Sequence, residues 1–155
     1  MDNIIIRKAK IEDLKDVQVL RDILFKYEIE KLDNHITDVT WTFSKDGEED
    51  LIYFINEQIL YVAEINNKIV GYICGEMLPK KEWNLFQIAE IINLCVKEEY
   101  RNMKIGTLLI NKFKEVCKEK NIKHISVATL SNNDAIKFYN KNGFSIHSVQ
   151  MLTEI

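Results

Sequence analysis

The apolar positions of this chain fall into short alternating runs and longer stretches at helical spacing. Residues 3–9 read as a strand. Residues 12–30 read as an amphipathic helix with Leu14, Val17, Leu20, Leu24 and Tyr27 on one stripe. Residues 31–47 are acidic and irregular and hold Trp41 and Phe43. Residues 48–57 read as a short helix, with Glu48, Glu49 and Asp50 favourable at its positive end. A hairpin follows, with strands at 59–65 and 68–77 joined by Asn66-Asn67. Residues 86–97 predict a strand, 104–120 a helix, 123–129 a strand and 134–142 a helix. Asn132, Asn133 or Asp134 can cap that last helix. Asn142-Gly143 end it, with glycine free to take the left-handed cap and Phe144 packing behind. A final strand, or a broken pair, is expected over 144–154. This alternation predicts a mixed α/β sheet.

Composition narrows the class. The chain has 155 residues, 46% of them hydrophobic and 29% charged, as in a soluble globular protein. It reads as one domain, 1–155, large enough to bury a core without staples. Net charge is −3 but unevenly spread. Glu28 to Asp50 hold eight acids against Lys31 and Lys45, and Lys97 to Lys123 hold eight bases against four acids. An acidic lobe facing a basic one fits a cationic acceptor and an anionic cofactor; solvated helix faces account for most of the same charges. No broad basic patch with interleaved aromatics occurs, which argues against nucleic acid. No apolar run is long enough to span a bilayer, and MDNIIIRK has no secretory pattern. Cys74, Cys95 and Cys117 give neither a disulfide framework nor a zinc spacing, so no metal is expected, and they read as core residues in a reducing cytoplasm.

The candidate chemistry starts at Val96–Ile110, VKEEYRNMKIGTLLI. An apolar strand ends in a charged turn, and a helix opens with Ile105, Leu109, Phe113 and Val116 at apolar positions. Such a junction aims free backbone N–H groups and the positive helix end at one spot, which suits a diphosphate. Gly106 lets the backbone come close, and Arg101 and Lys104 add charge. An ordinary surface turn has the same local pattern. A second segment, Asn132–Phe144 or NNDAIKFYNKNGF, bears on the choice.

Together the two segments resemble the GCN5-related N-acetyltransferase family. Its first signature, Gln/Arg-x-x-Gly-x-Gly/Ala, stands here as Arg101-Asn102-Met103-Lys104-Ile105-Gly106, with Lys104 where glycine is usual. Its second is matched at Asn132, Ala135, Phe138, Tyr139, Gly143 and Phe144. The likeness extends to the opening IIIRKAKIEDL and the hairpin YVAEINNKIVGYICGEM. It implies the acyl-CoA N-acyltransferase fold: a mixed, mostly antiparallel central sheet with splayed parallel strands and flanking helices.

The resemblance also implies roles. Acetyl-CoA is the expected co-substrate. Its pantetheine would pair with the backbone of Leu94, Cys95 and Val96. Its diphosphate would sit on the N–H groups of Arg101, Asn102, Met103, Lys104, Ile105, Gly106 and Thr107, with the Asn132 side chain near the cofactor's arm. An amine attacks the thioester and CoA thiolate leaves. Tyr139 matches the tyrosine that lies near the sulfur as general acid, and a phenol with a pKa of about 10 is a reasonable donor to a thiolate. Glu90 is the base candidate: it is the only acid in AEIINLCV, and burial there would raise its pKa. A rim carboxylate that only binds the ammonium is the other reading; Asn93, orienting a water, and Glu76 are further alternatives. His35, His124 and His147 are scattered, and a Cys95–His124 nucleophile lacks the exposure that reactivity needs. The expected acceptor is a primary amine, either a small cation or a peptide amine, with the acidic stretch over its site. The expected state is a cytoplasmic monomer or homodimer. A CoA-binding sensor or subunit without turnover is the alternative, because Lys104 can crowd the diphosphate loop.

Overall fold

The computed structural model describes residues 3–33 and 38–155; His35 lies outside them. Its strands are β1 (Ile4–Lys8), β2 (Ile59–Ile65), β3 (Lys68–Met77), β4 (Ile88–Val96) and β5 (His124–Val127). Its α-helices are α1 (Leu14–Lys31), α2 (Lys45–Glu57), α3 (Ile105–Glu119) and α4 (Ala135–Lys141). The strands form one sheet in the order β1-β2-β3-β4-β5. All neighbours are antiparallel except β4 and β5.

Two apolar layers sandwich the sheet. On one face Leu109, Ile110, Phe113 and Val116 of α3 meet Ile59, Ala63, Ile73, Ala89 and Ile91. On the other Val17 and Leu20 of α1 and Leu51, Phe54 and Ile55 of α2 meet Leu60, Val62, Tyr72, Cys74 and Cys95. Full burial of each Val, Leu, Ile or Phe among them stabilises by about 1.5–3 kcal/mol. Asn66 and Asn67 take φ of 50° and 61°, the two positive values that a tight hairpin turn needs. All three cysteines are free and buried. Burial pushes the Cys74 thiol up to about 12 and those of Cys95 and Cys117 to about 11, as expected of core residues.

Three expectations need correction. Residues 144–155 form no strand, and Ile146, Val149, Met151 and Leu152 stand in solvent. Strand propensity there is real, but a strand exists only with a ladder partner, and this segment has none among the described residues. Helix α2 begins at Lys45, not 48, because the Ser44 side chain caps it by accepting from the Gly47 N–H at 3.1 Å. Tyr27 is exposed, so the inward stripe of α1 does not end on it.

One polar clamp fixes the first strand to the first helix. The Arg7 guanidinium donates to both Asp13 oxygens at 2.7 and 2.9 Å and to Glu64 at 2.8 Å. Asp13 also accepts from the Lys10 N–H at 2.8 Å. The Arg7 bond holds the Asp13 carboxyl below its usual range. A lowered carboxyl contributes stability above its ordinary pKa, and that contribution is lost as pH falls through the folded value. Asp13→Asn is therefore expected to cost about 2 kcal/mol at neutral pH. The gap between variant and wild type should close below about pH 4. Urea midpoints at pH 7 and pH 3 check both.

Candidate active site

The site is built around a split in the sheet. β4 and β5 pair only from Ile88/His124 to Ile91/Val127. β4 then runs on beside β3 as far as Val96. Its other edge, from Asn93 to Val96, has no strand beside it among the described residues, and the Arg101 Nε–H donates to the Val96 carbonyl at 3.2 Å. An irregularity between Cys74 and Gly75 makes Ile92 an extra residue in β4. Ala89 and Ile91 therefore face α3, and so do Leu94 and Val96, while Cys95 faces α1. A side chain at Gly75 would press on the Glu90 carbonyl and the Phe113 ring at 2.2 and 2.6 Å, so only glycine fits there.

Beyond β4, Asn102 and Lys104 take φ of 67° and 63°, in the left-handed region. Residues of alternating hand turn successive N–H groups to one side and make an anion-binding concavity. The first N–H groups of α3 open onto the same turn. Lys104 is exposed and immediately precedes α3. Its left-handed φ is the physical reason for glycine in the motif. A Cβ at Gly106 would lie 2.9 Å from Phe138, so the glycine lets α3 approach α4.

Helix α4 carries Tyr139. Asn133 caps its first turn by accepting from the Ala135 N–H at 2.9 Å. Gly143 ends it at φ 88°. Phe138 and Phe144 each stand edge-on to Tyr139 at 5.5 Å between centroids. Burial first, and then the charge of Glu28, push the Tyr139 phenol up to about 12. It is thus a weaker acid than the unperturbed phenol and is fully protonated at neutral pH. The Asn132 amide donates to the Leu32 carbonyl at 3.2 Å, tying the loop before α4 to the end of α1.

On the α1/α2 face lies an open cleft of about 290 Å³ lined by Arg21, Phe25, Trp41, Asp50, Tyr53, Phe54, Glu76, Ile92 and Asn93. Arg21 is 1% exposed. It pairs with Asp50 at 2.7 Å, donates to the Gly47 carbonyl and lies over the Trp41 ring at 4.7 Å. Its Nε is buried with no partner among the described residues. Glu90 is half-buried, opposite Glu76 on β3 and beside Ser126 on β5. The register puts Glu90, Glu76 and Asn93 on one stretch of the sheet. His124 stacks on Phe86, not on a cysteine. Arg21 was missed as a site residue because a charged side chain in a helix reads as solvated; its place one turn from Val17 was the available signal.

A family model for the acetyltransferase (GNAT) family matches residues 24–144. The chain belongs to this family. A spermidine N(1)-acetyltransferase of Thermoplasma acidophilum is 28% identical over 149 residues, 91% of this chain and 88% of that one. An N-alpha-acetyltransferase of Sulfurisphaera tokodaii is 33% identical over 99 residues, 57% of each chain. The chain spans 40–57% of the lengths of the first three curated relatives it matches. The crystal structure of the PaiA N-acetyltransferase of T. acidophilum in complex with coenzyme A superposes with a TM-score of 0.79 at 23% identity, over 96% of this chain and 93% of that one. That likeness places the fold as the acyl-CoA N-acyltransferase type.

The left-handed Lys104 gives a direct test of the turn. A non-glycine residue in that region is strained by roughly 1–2 kcal/mol. Lys104→Gly is expected to raise the unfolding midpoint, by about 1 kcal/mol after the extra freedom glycine has in the unfolded chain. A lower midpoint in thermal unfolding would mean that the turn does not hold this conformation.

Proposed function

We propose that this chain transfers an acetyl group from acetyl-CoA to a primary amine. The observation that carries the reading is the split between β4 and β5 directly ahead of the turn at 101–107, in a chain of this family. The pantetheine would bond the free edge at Leu94, Cys95 and Val96. The diphosphate would take the N–H groups of residues 101–107, with Arg101 and Lys104 adding charge.

The acceptor would lie in the cleft on the α1/α2 face. Glu76 offers a carboxylate there, with Glu90 opposite it on β4, and Trp41, Tyr53 and Phe25 offer aromatic faces, a combination that favours a cation. Asp50 contributes less, because Arg21 already neutralises it. A polyamine-like acceptor fits this lining, and the spermidine N(1)-acetyltransferase among the relatives supports the same class.

The chemistry needs two proton transfers. Tyr139 would protonate the departing thiolate. The ammonium's proton would go to a carboxylate on the α1/α2 face, for which Glu90 is the candidate supplied by its position in β4.

Acetyl-CoA at a free concentration a hundredfold above its dissociation constant should stabilise the fold by about 2.7 kcal/mol. The thermal shift should fall with salt and in Lys104→Ala if the lysine meets a phosphate. Thiol release should follow with one of a panel of spermidine, 1,4-diaminobutane, an aminoglycoside and an N-terminal alanyl peptide. A shift without release by any amine would replace the enzyme with a CoA-binding module. No shift at all would remove the CoA site.

Tyr139→Phe should lower kcat by about 10² to 10⁴-fold with acetyl-CoA affinity nearly intact, since the phenol acts mainly on the transition state. Steady-state kinetics with a matched binding titration separate the two. An unchanged single-turnover rate would leave Tyr139 as a packing residue.

A further inference from the structure

The segment after α4 and the outer edge of β5 are two halves of an unmade contact. Residues 145–155 make no backbone–backbone hydrogen bond among the described residues. Their large apolar side chains stand in water: Val149 is 80% exposed and Met151 91%. The composition does not suit that place. Residues 144–155 hold one charged side chain, Glu154, in a chain that is 29% charged. Segments that remain solvated are polar and charged, and a run of exposed apolar side chains marks a contact surface. From Val149 the order is V-Q-M-L-T-E-I, which puts Val149, Met151 and Ile155 on one face of an extended chain. Those residues reach about 23 Å in that form, more than enough to run along a four-residue strand.

Strand β5 has β4 on one side and no strand on the other among the described residues. Such an edge presents unpaired N–H and C=O groups, and a sheet that keeps an edge free guards it with lysine, proline or a bulge. The sequence HISV has none of these. Ile125 and Val127 pack against the α3 layer and are half-buried. His124, on the other face by alternation, stacks on Phe86 at 4.7 Å. Phe86, Leu85 and Trp83 are all exposed, so the apolar surface runs from the edge onto the connection between β3 and β4.

We propose that residues 145–155 of one copy add as a strand beside β5 of a second copy, and that the exchange is reciprocal. Both unfinished surfaces belong to one chain, so a single two-fold axis completes both at once. Val149, Met151 and Ile155 extend the row of Ile125 and Val127 over the α3 layer. Leu152, on the opposite face, lies toward Phe86. The segment, the edge and the apolar connection bring roughly 20 residues of each copy to the contact, against about 20–30 a side in a standard stable interface. The exchange also gives β5 a second neighbour, where its pairing with β4 covers only Ile88/His124 to Ile91/Val127.

The test is sedimentation equilibrium of the full chain over a concentration series, with amide hydrogen exchange on the same samples. A dimer is expected, with residues 124–127 and 145–155 protected in it and released on dilution. Val149→Asp combined with Met151→Asp should raise the dissociation constant by more than about 10²-fold, since each buried apolar side chain is worth about tenfold or more. Gln150→Asp, at the polar position between them, should keep the dimer. Equal loss in Gln150→Asp overturns the added strand, whose two faces must differ. A monomer at every concentration overturns the exchange, and one with residues 145–155 protected shows the segment pairing within its own chain. A dimer in which those amides exchange freely is built on another surface and overturns it too, as does a dimer that the double variant leaves intact. The wild-type measurements decide alone if a variant does not fold. None of them involves acetyl transfer, so that reading stands or falls separately.

Discussion

The free edge of β4 is the constraint on which the rest of the site depends. Backbone N–H and C=O groups are obligatory bonding groups, and a strand edge that loses its neighbour must satisfy them some other way. Here the parallel pairing with β5 ends at Ile91, while the antiparallel pairing with β3 continues to Val96. The strand thus enters the split held on one side only. Its cost is borne by the solid core of β2, β3 and α3 below it, where Ile73, Leu109 and Phe113 have no exposure. The extra residue at Ile92 adds a second consequence. It sets Asn93 and Cys95 toward α1 while leaving Leu94 and Val96 against α3. One inserted residue therefore decides which side chains look onto the cleft of the α1/α2 face and which stay in the core.

Much of this was legible from the chain. Among the described residues the periodicity placed the five strands and the four α-helices, since each has a long enough apolar pattern to choose its own period. The parallel pairing of β4 with β5 came from the family resemblance of the segments at 96–106 and Asn132–Phe144, not from the periodicity. Residues 144–155 were illegible for the opposite reason. Their alternation describes a strand, but a partner edge is not a local property. Gly106 was legible as a place of close approach, and the Phe138 ring is a neighbour that local pattern could not name.

Arg21 was missed through a sound rule applied where it fails. Charged residues on a helix are mostly solvated, and the stripe was drawn through apolar positions alone. Yet Arg21 sits at inward spacing relative to Val17 and Leu24. Burying Arg21 costs several kcal/mol in desolvation, offset by Asp50, the Gly47 carbonyl and the Trp41 ring. Those three partners come from α2 and the turn before it. The arginine therefore fixes α2 and Trp41 onto α1 and shapes the cleft wall, and the unpaired Nε marks where its bonding stops. Violations of the burial rule gather at functional sites more than elsewhere.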